Sequence, residues 1–179
     1  MARPRVSAAK KRPTKQAARS ASDGLEGVSF HLGRAYYRYI ALVESALQEA
    51  GLADRVRPGM GHVLFALFER DDRVIKEIVE RADVSPSTLT GILRQMEKHG
   101  LVERRADAED GRAVRVRLTR LAKSLEQRLR KIQVRVHKVM YADLTAAELR
   151  AVKQGLARMT SAMREHEGSR EEGTRSRSR

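Results

Sequence analysis
A change of hydrophobic periodicity at Gly100 constrains the fold of this chain more than any other feature of its sequence. Before it, over 86–99, apolar residues recur at steps of three and four, as in an amphipathic helix. After it, over 114–118, valine and leucine alternate with arginine, as in a strand with one buried and one basic face. The segment 101–105 supplies a partner strand, and the polar stretch 106–113 joins the two. A helix followed directly by a β-hairpin with a long charged tip is therefore predicted.

Helical patterns lie on both sides of this unit. Asp83 and Val84 form a turn before the helix 86–99, and Ser85 followed by Pro86 is typical of a helix N-terminus. The other predicted helices cover about 26–50, 58–70, 75–82, 120–141 and 145–166. The order of helix, turn, helix and hairpin predicts a mainly α fold with a small β-hairpin wing, a winged helix-turn-helix flanked by long helices.

The positive charge of the chain is concentrated at its N-terminus. Its 37 lysines and arginines outnumber its 23 acidic residues, which gives a formal net charge of +14. The segment 1–22 holds seven cationic side chains and no acid. It and the segment 168–179 lack apolar periodicity, so we predict a disordered basic arm, a folded domain over 23–167 and a disordered tail. This balance favours a polyanionic partner, with nucleic acid ahead of an acidic membrane surface.

Several classes of protein are disfavoured by what the sequence lacks. The chain has no cysteine, which excludes disulfides, iron–sulfur clusters and thiolate zinc sites. It shows no histidine spacing typical of a metal site, no Gly-rich phosphate loop and no nucleophile elbow. No stretch approaches about 18 consecutive apolar residues, so no transmembrane segment is predicted. We expect a cytoplasmic, nucleoid-associated protein of bacterial type that is not an enzyme and uses no cofactor or metal.

Polar side chains cover one side of the predicted helix 86–99, opposite Leu89, Leu93 and Met96. In a helix-turn-helix this second helix enters the major groove, where hydroxyls bond base edges or phosphates, arginine binds guanine or a phosphate, and glutamine binds adenine. The candidate DNA-binding residues here are Ser85, Ser87, Thr88, Thr90, Arg94 and Gln95. For any one of these residues, the alternative is that it simply lies on a solvated helix face. The whole set, next to a basic hairpin, favours DNA binding.

Two motifs in this region resemble the MarR family of winged helix-turn-helix transcriptional regulators. One is Glu-Lys-His-Gly-Leu-Val at 97–102, which matches the passage of the family into its wing. The other is Asp-Gly-Arg at 110–112 followed by Leu-Thr at 118–119, which matches the wing signature. The flanking helices match in order, so the resemblance covers about 26–165.

The resemblance implies an architecture and a mode of binding. It implies a winged helix over about 55–119 and a homodimer held by the helices of about 26–50 and 120–166. It also implies that Arg112 enters the minor groove and that Asp110 orients this arginine by an ion pair. The arginines of the hairpin are expected to lie near phosphates: Arg104, Arg105, Arg115 and Arg117. Strand alternation, however, places only some of them on the DNA side. The apolar stripe predicted to pack across subunits is Leu149, Val152, Leu156, Met159 and Met163.

The family also binds small aromatic or phenolic effectors between its dimerisation helices and the winged helix. Candidate lining residues are Tyr37 and Arg38 on the first helix and His62 and Phe65 on the second. The alternative for each is an ordinary place in or beside the core. Together these features predict a sequence-specific regulator of double-stranded DNA, a homodimeric repressor that a small ligand releases.

Two other functions stay open at this stage. An architectural nucleoid-type protein would use the basic N-terminal arm and bind any duplex with similar affinity. A winged helix that serves only protein partners is disfavoured, because such a module needs neither a basic wing nor an open polar helix face.

Overall fold
The helices and the two strands of the hairpin follow one another in the order that the sequence predicts. The computed structural model describes the backbone of residues 15–177 and the side chains of residues 27–166. The elements are α1 (Lys15–Glu49), α2 (Met60–Glu69), β1 (Arg73–Val74), α3 (Ile75–Ala82), α4 (Pro86–Lys98), β2 (Val102–Ala106), β3 (Val114–Leu118), α5 (Arg120–Met140) and α6 (Ala146–Arg177). The predicted fold class, mainly α with a β-hairpin wing, is confirmed.

Two of these helices are longer than predicted. α1 begins at Lys15, inside the segment predicted as a disordered arm, and α6 continues to Arg177, inside the predicted tail. Both segments are rich in residues of high helix propensity, alanine, glutamine and lysine in the first and arginine and glutamate in the second. A helix can therefore continue through them without an apolar face to bury. The rest of the predicted arm, residues 1–14, lies outside the described residues.

The turn between α3 and α4 sets the direction of the second helix. Asp83 ends α3 in the left-handed conformation, with φ 56°. Ser85 then caps α4, since its Oγ accepts a hydrogen bond from the backbone N–H of Thr88 at 3.1 Å. Gly100, with φ 67°, turns the chain out of α4 toward the hairpin. The side chains that pack these two helices into the core are Ile78, Leu89, Leu93 and Met96.

The wing belongs to a three-stranded antiparallel sheet of order β1-β3-β2. β2 and β3 form the predicted hairpin, with Val102 opposite Leu118. β1 was not apparent in the sequence, because its two residues, Arg73 and Val74, are too few to show an alternating pattern. It pairs with the free edge of β3. Val116 in the central strand is fully buried, so the wing is fixed to the helix-turn-helix by sheet pairing and by its apolar face.

The chain divides into two compact units, residues 1–126 and 127–179. The first contains the helix-turn-helix and the wing. The second contains most of α5 and all of α6. A capping box begins α6: the backbone N–H of Thr145 donates to Glu148 Oε2 at 2.8 Å, and the backbone N–H of Glu148 donates to Thr145 Oγ1 at 3.3 Å. No helix within residues 15–177 is both long and apolar enough to cross a membrane.

Candidate nucleic-acid interface
The outer face of α4 is open to solvent along its length. Ser87, Thr88, Thr90, Arg94 and Gln95 are all exposed, while the apolar residues on the other side are buried. Gly91 lies in the middle of this face, and a Cβ added there would meet no atom within 4 Å. The face is therefore shallow at its centre, where a DNA backbone or base edge could approach the helix closely.

The hydroxyl groups at the start of α4 bond one another. Ser85 Oγ lies 2.9 Å from Ser87 Oγ and donates to Thr88 Oγ1 at 2.8 Å. Thr90 Oγ1 donates to the carbonyl oxygen of Pro86 at 2.8 Å. These groups fix the first turn of the helix. The side chains of Arg94 and Gln95, one turn further on, form no hydrogen bond or ion pair with the residues that the structure describes, so they are available to a ligand.

Asp107 organises the tip of the wing. Its Oδ1 accepts hydrogen bonds from the backbone N–H groups of Glu109 at 2.8 Å and Asp110 at 3.1 Å. Its own N–H donates to the carbonyl oxygen of Ala113 at 2.9 Å, which closes the loop. The two N–H groups and the neighbouring Arg115 hold the pKa of Asp107 below its ordinary value. This role of Asp107 was not predicted from the sequence, although an aspartate that opens a polar loop is a recognised signal for an Asx-turn.

Arg112 projects from the loop that Asp107 closes. Asp110 Oδ1 accepts a hydrogen bond from the backbone N–H of Arg112 at 3.0 Å. The resemblance led us to expect an ion pair between these two side chains, and the structure differs on this point. A carboxylate two residues before a turn N–H reaches that N–H more readily than it reaches the end of a long side chain. The guanidinium of Arg112 is exposed and pairs with no described residue.

The other predicted arginines of the wing are each paired with a carboxylate. Arg104 Nε donates to Glu97 Oε1, at the end of α4, at 2.7 Å. Their hydrogen bond lowers the pKa of Glu97 and raises that of Arg104. Arg105 pairs with Asp72. Arg115 pairs with Asp107 and also donates to the carbonyl oxygen of Asp72 at 2.5 Å.

Asp71 anchors the base of the wing. Its Oδ1 accepts hydrogen bonds from the backbone N–H of Leu118, at the end of β3, and from that of Asp72, both at 2.8 Å. Its Oδ2 lies 2.7 Å from Nζ of Lys123 on α5. Burial alone would raise the pKa of Asp71, but Lys123 and the two N–H groups outweigh it, and the pKa is lowered. The sequence showed only a pair of acids at the end of a helix.

The candidate effector-binding residues are not enclosed within one chain. Tyr37 is 75% exposed, and its ring meets that of Tyr36 edge-on. Arg38 and His62 are also exposed, whereas Phe65 is half-buried and packs edge-to-face with Phe68. The prediction of an effector site at these four residues stays a prediction.

The stripe predicted for dimerisation is largely uncovered. Val152 is 50% exposed, Leu156 43% and Met163 55%, while Leu149 and Met159 are half-buried.

Within the described residues, no group of three or more histidines and acids could hold a metal ion.

Comparison with known proteins gives consistent matches. Residues 58–114 match the sequence model of the MarR family. Over 128 residues the chain is 29% identical to the HTH-type transcriptional repressor IacR of Pseudomonas putida. This match covers 71% of this chain and 74% of that protein.

Two solved structures share the fold. A structure of BpsR from Bordetella bronchiseptica, which concerns regulation of its DNA binding by 6-hydroxynicotinic acid, superposes with a TM-score of 0.62 at 22% identity, over 75% of this chain and 98% of that one. A mutant of MarR from E. coli in complex with operator DNA gives a TM-score of 0.64 at 20% identity, over 76% of this chain and 96% of that one.

Proposed function
Since this chain is a DNA-binding transcriptional regulator of the MarR family, we propose that it acts as a homodimer that recognises a specific double-stranded operator. The proposal rests on which arginines of the winged helix form ion pairs within the chain and which do not. Arg94 on α4 and Arg112 at the wing tip are exposed and have no described partner. These two arginines occupy the elements of a winged helix that meet the major and the minor groove.

Each element supplies a different kind of recognition. On α4, Arg94 and Gln95 read base edges in the major groove, because arginine matches guanine and glutamine matches adenine in donor and acceptor pattern. The hydroxyls of Ser87, Thr88 and Thr90 stand beside them for base edges or phosphates. Arg112 enters the minor groove, where the negative potential is strongest over narrow A·T-rich steps.

Exposed apolar side chains support the homodimer. Within the described side chains, every large apolar residue that is exposed, apart from Val114, lies on α1, in α5 or the segment after it, or on α6. The winged helix between these helices has none but Val114. A monomer rarely leaves so many apolar side chains in water, and a second copy would cover them. A dimer would also present two recognition helices to the half-sites of a palindrome.

Effector release and repression form the finer part of the proposal. The relative IacR is named as a repressor, and the BpsR structure concerns control of DNA binding by an aromatic acid. Tyr37, Arg38, His62 and Phe65 offer two aromatic rings, a cation and an imidazole, which suit an aromatic acid or a phenol. We propose that such a ligand binds there and releases the operator.

The experiment that tests this function is selection of genomic fragments by the purified full-length protein. A regulator enriches a few fragments that share a palindrome, and it loses affinity when that palindrome is mutated. Aromatic acids are then screened for release of the enriched fragment. Equal retention of all fragments would contradict operator recognition and would favour an architectural protein that binds through the basic arm.

A further inference from the structure
Two arginines of the wing face each other directly across the hairpin. In the register of β2 and β3, Arg105 is the partner of Arg115. Residues directly opposite in an antiparallel pair share one face of the sheet, and like charges in that position are destabilising. The pair therefore needs a nearby negative group to be tolerated.

Asp72 supplies that group from outside the hairpin. Its Oδ2 pairs with the guanidinium of Arg105, and its backbone carbonyl accepts a hydrogen bond from Nη1 of Arg115 at 2.5 Å. Asp107 pairs with the other side of Arg115. The two arginines are thus joined through one aspartate, which lies 33 residues before Arg105.

Asp72 has two features that are unusual for a surface residue, one in its backbone and one in its side chain. Its backbone is left-handed, with φ 59°. Its Oδ1 is buried and has no hydrogen-bond partner among the described residues, an arrangement that disfavours a carboxylate. Its other oxygen, Oδ2, pairs with Arg105.

An arginine held in this way contributes little to general attraction for DNA. A cation gains affinity at a phosphate by releasing the counterions condensed on the duplex, and this gain is independent of base sequence. An arginine that stays paired with a carboxylate neutralises no phosphate. Arg94 and Arg112, which are unpaired, have no such restraint.

We propose that Asp72 is a specificity-determining residue, which withholds Arg105 from DNA phosphates and so lowers non-specific binding relative to operator binding. The inference rests on the proposed DNA-binding function and deepens it. Arg105 was predicted from the sequence to lie near phosphates. In this proposal Asp72, an acid outside the hairpin, keeps Arg105 away from them.

The first test compares salt dependence in two charge-matched variants of the full-length protein. Asp72→Asn removes the carboxylate but keeps a residue that tolerates positive φ. Glu103→Gln makes the same change of charge on the β2–β3 hairpin itself, at a residue whose contact with Arg117 is long, 3.7 Å, and exposed. Binding to a labelled duplex of random sequence is titrated with salt for each variant.

We expect Asp72→Asn to steepen the slope of log affinity against log salt by about 0.9 for each freed arginine, or about 1.8 for a dimer. Affinity for random DNA should rise severalfold at low salt, and the ratio of operator to random affinity should fall. Glu103→Gln should leave the slope as in the wild type. An unchanged or flatter slope in Asp72→Asn would overturn the proposal.

A second variant tests the inference even if Asp72→Asn folds poorly. Arg105→Gln in the wild-type background should leave the random-duplex slope unchanged, since the arginine touches no phosphate there. In the Asp72→Asn background it should restore the wild-type slope. A loss of about 0.9 per protomer in the wild-type background would show Arg105 already on DNA and would also overturn the proposal.

The proposed function and this inference fail in different ways. Absence of operator preference in the wild type contradicts the proposed function alone, because the random-duplex slopes still report whether Arg105 is withheld. Retained operator preference with an unchanged slope in Asp72→Asn contradicts this inference alone.

Discussion
Asp110 holds the backbone of Arg112 and leaves its side chain free. The hydrogen bond from the N–H of Arg112 to Asp110 Oδ1 is 3.0 Å long. It lies inside the loop that the Asp107 carboxylate closes, so that two aspartates at the wing tip act on the main chain. A carboxylate repels DNA phosphates, so an acid at a tip proposed to face DNA needs a compensating role. Here Asp110 fixes the backbone from which the guanidinium of Arg112 projects.

Arg112→Ala should therefore weaken binding most on operators whose flanks are rich in A·T, because the narrow minor groove attracts arginine there. The measurement is affinity for one operator with either A·T-rich or G·C-rich flanks. Arg57→Ala, at an exposed arginine outside the wing, is the control and should affect both equally. The minor-groove assignment fails if a folded Arg112→Ala protein keeps wild-type affinity for A·T-rich flanks.

Arg94→Ala should lower operator affinity by about 1–3 kcal/mol if the side chain reads a base. Lys98→Ala removes the same charge from the same helix and should have a smaller effect on operator discrimination. Gel shifts on the operator and on a scrambled duplex separate the cases. An equal loss on both duplexes for Arg94→Ala would mean that this arginine contacts a phosphate instead.

Charges placed in the apolar stripe of α6 should disrupt the dimer. Leu156→Glu with Met159→Glu should give monomer or unfolded chain in sedimentation, because two carboxylates cannot be buried between subunits without partners. The matched control is Ala151→Glu with Gln154→Glu, which puts two charges on the opposite face of the same helix. A double variant in the stripe that stays a folded dimer able to bind DNA would contradict the assignment.

Deletion of residues 1–14 should flatten the salt dependence of binding and preserve specificity. The segment holds five cationic side chains and no acid, and it lies outside the described residues. If all of them engage phosphates, the slope of log affinity against log salt should fall by roughly 4–5 per arm. Operator and random DNA should lose affinity by similar factors. An unchanged slope would show that the arm does not contact DNA, and loss of nearly all binding would favour an architectural role.

Asp71→Asn should destabilise the protein in a pH-dependent way. The pKa of Asp71 in the folded chain is below its ordinary value of 3.8, so the carboxylate stabilises the fold above that value and loses this effect as pH falls through the folded pKa. Because Lys123 is about half exposed, we expect a difference of only about 1 kcal/mol near neutral pH. Urea unfolding at a series of pH values measures it.

The difference between Asp71→Asn and the wild type should begin to shrink below about pH 4, where the unfolded chain protonates, and should vanish once the pH has fallen through the lower pKa of the folded carboxyl. Glu103→Gln, at an exposed pair on the wing, should show no comparable difference at neutral pH. A destabilisation of Asp71→Asn that is constant with pH would mean that the charge of Asp71 does not contribute.

The predicted helix-turn-helix and wing followed from local signals. Ser85 and Gly100 bound α4, and the alternation over 114–118 fixed which side of β3 is buried, because a strand can turn only one set of alternate residues to the core. Such signals depend on residues within a turn or two of one another. These signals did not predict the strand β1, because two residues are too few to show a pattern. They did not predict the full lengths of α1 and α6 either, because the helix extensions bury no apolar face.

The sequence by itself determined the helices, the hairpin and the open polar face that carries Arg94. Only the tertiary structure decided which arginines of the wing are free. Arg105 meets Asp72, 33 residues away, and Arg115 reaches the same residue across 43 positions. Periodicity records the face on which a side chain stands, but an ion pair depends on which distant segment the fold brings to that face. The physical reason is that a charge finds its partner through space, whereas a helix or strand forms from neighbours along the chain.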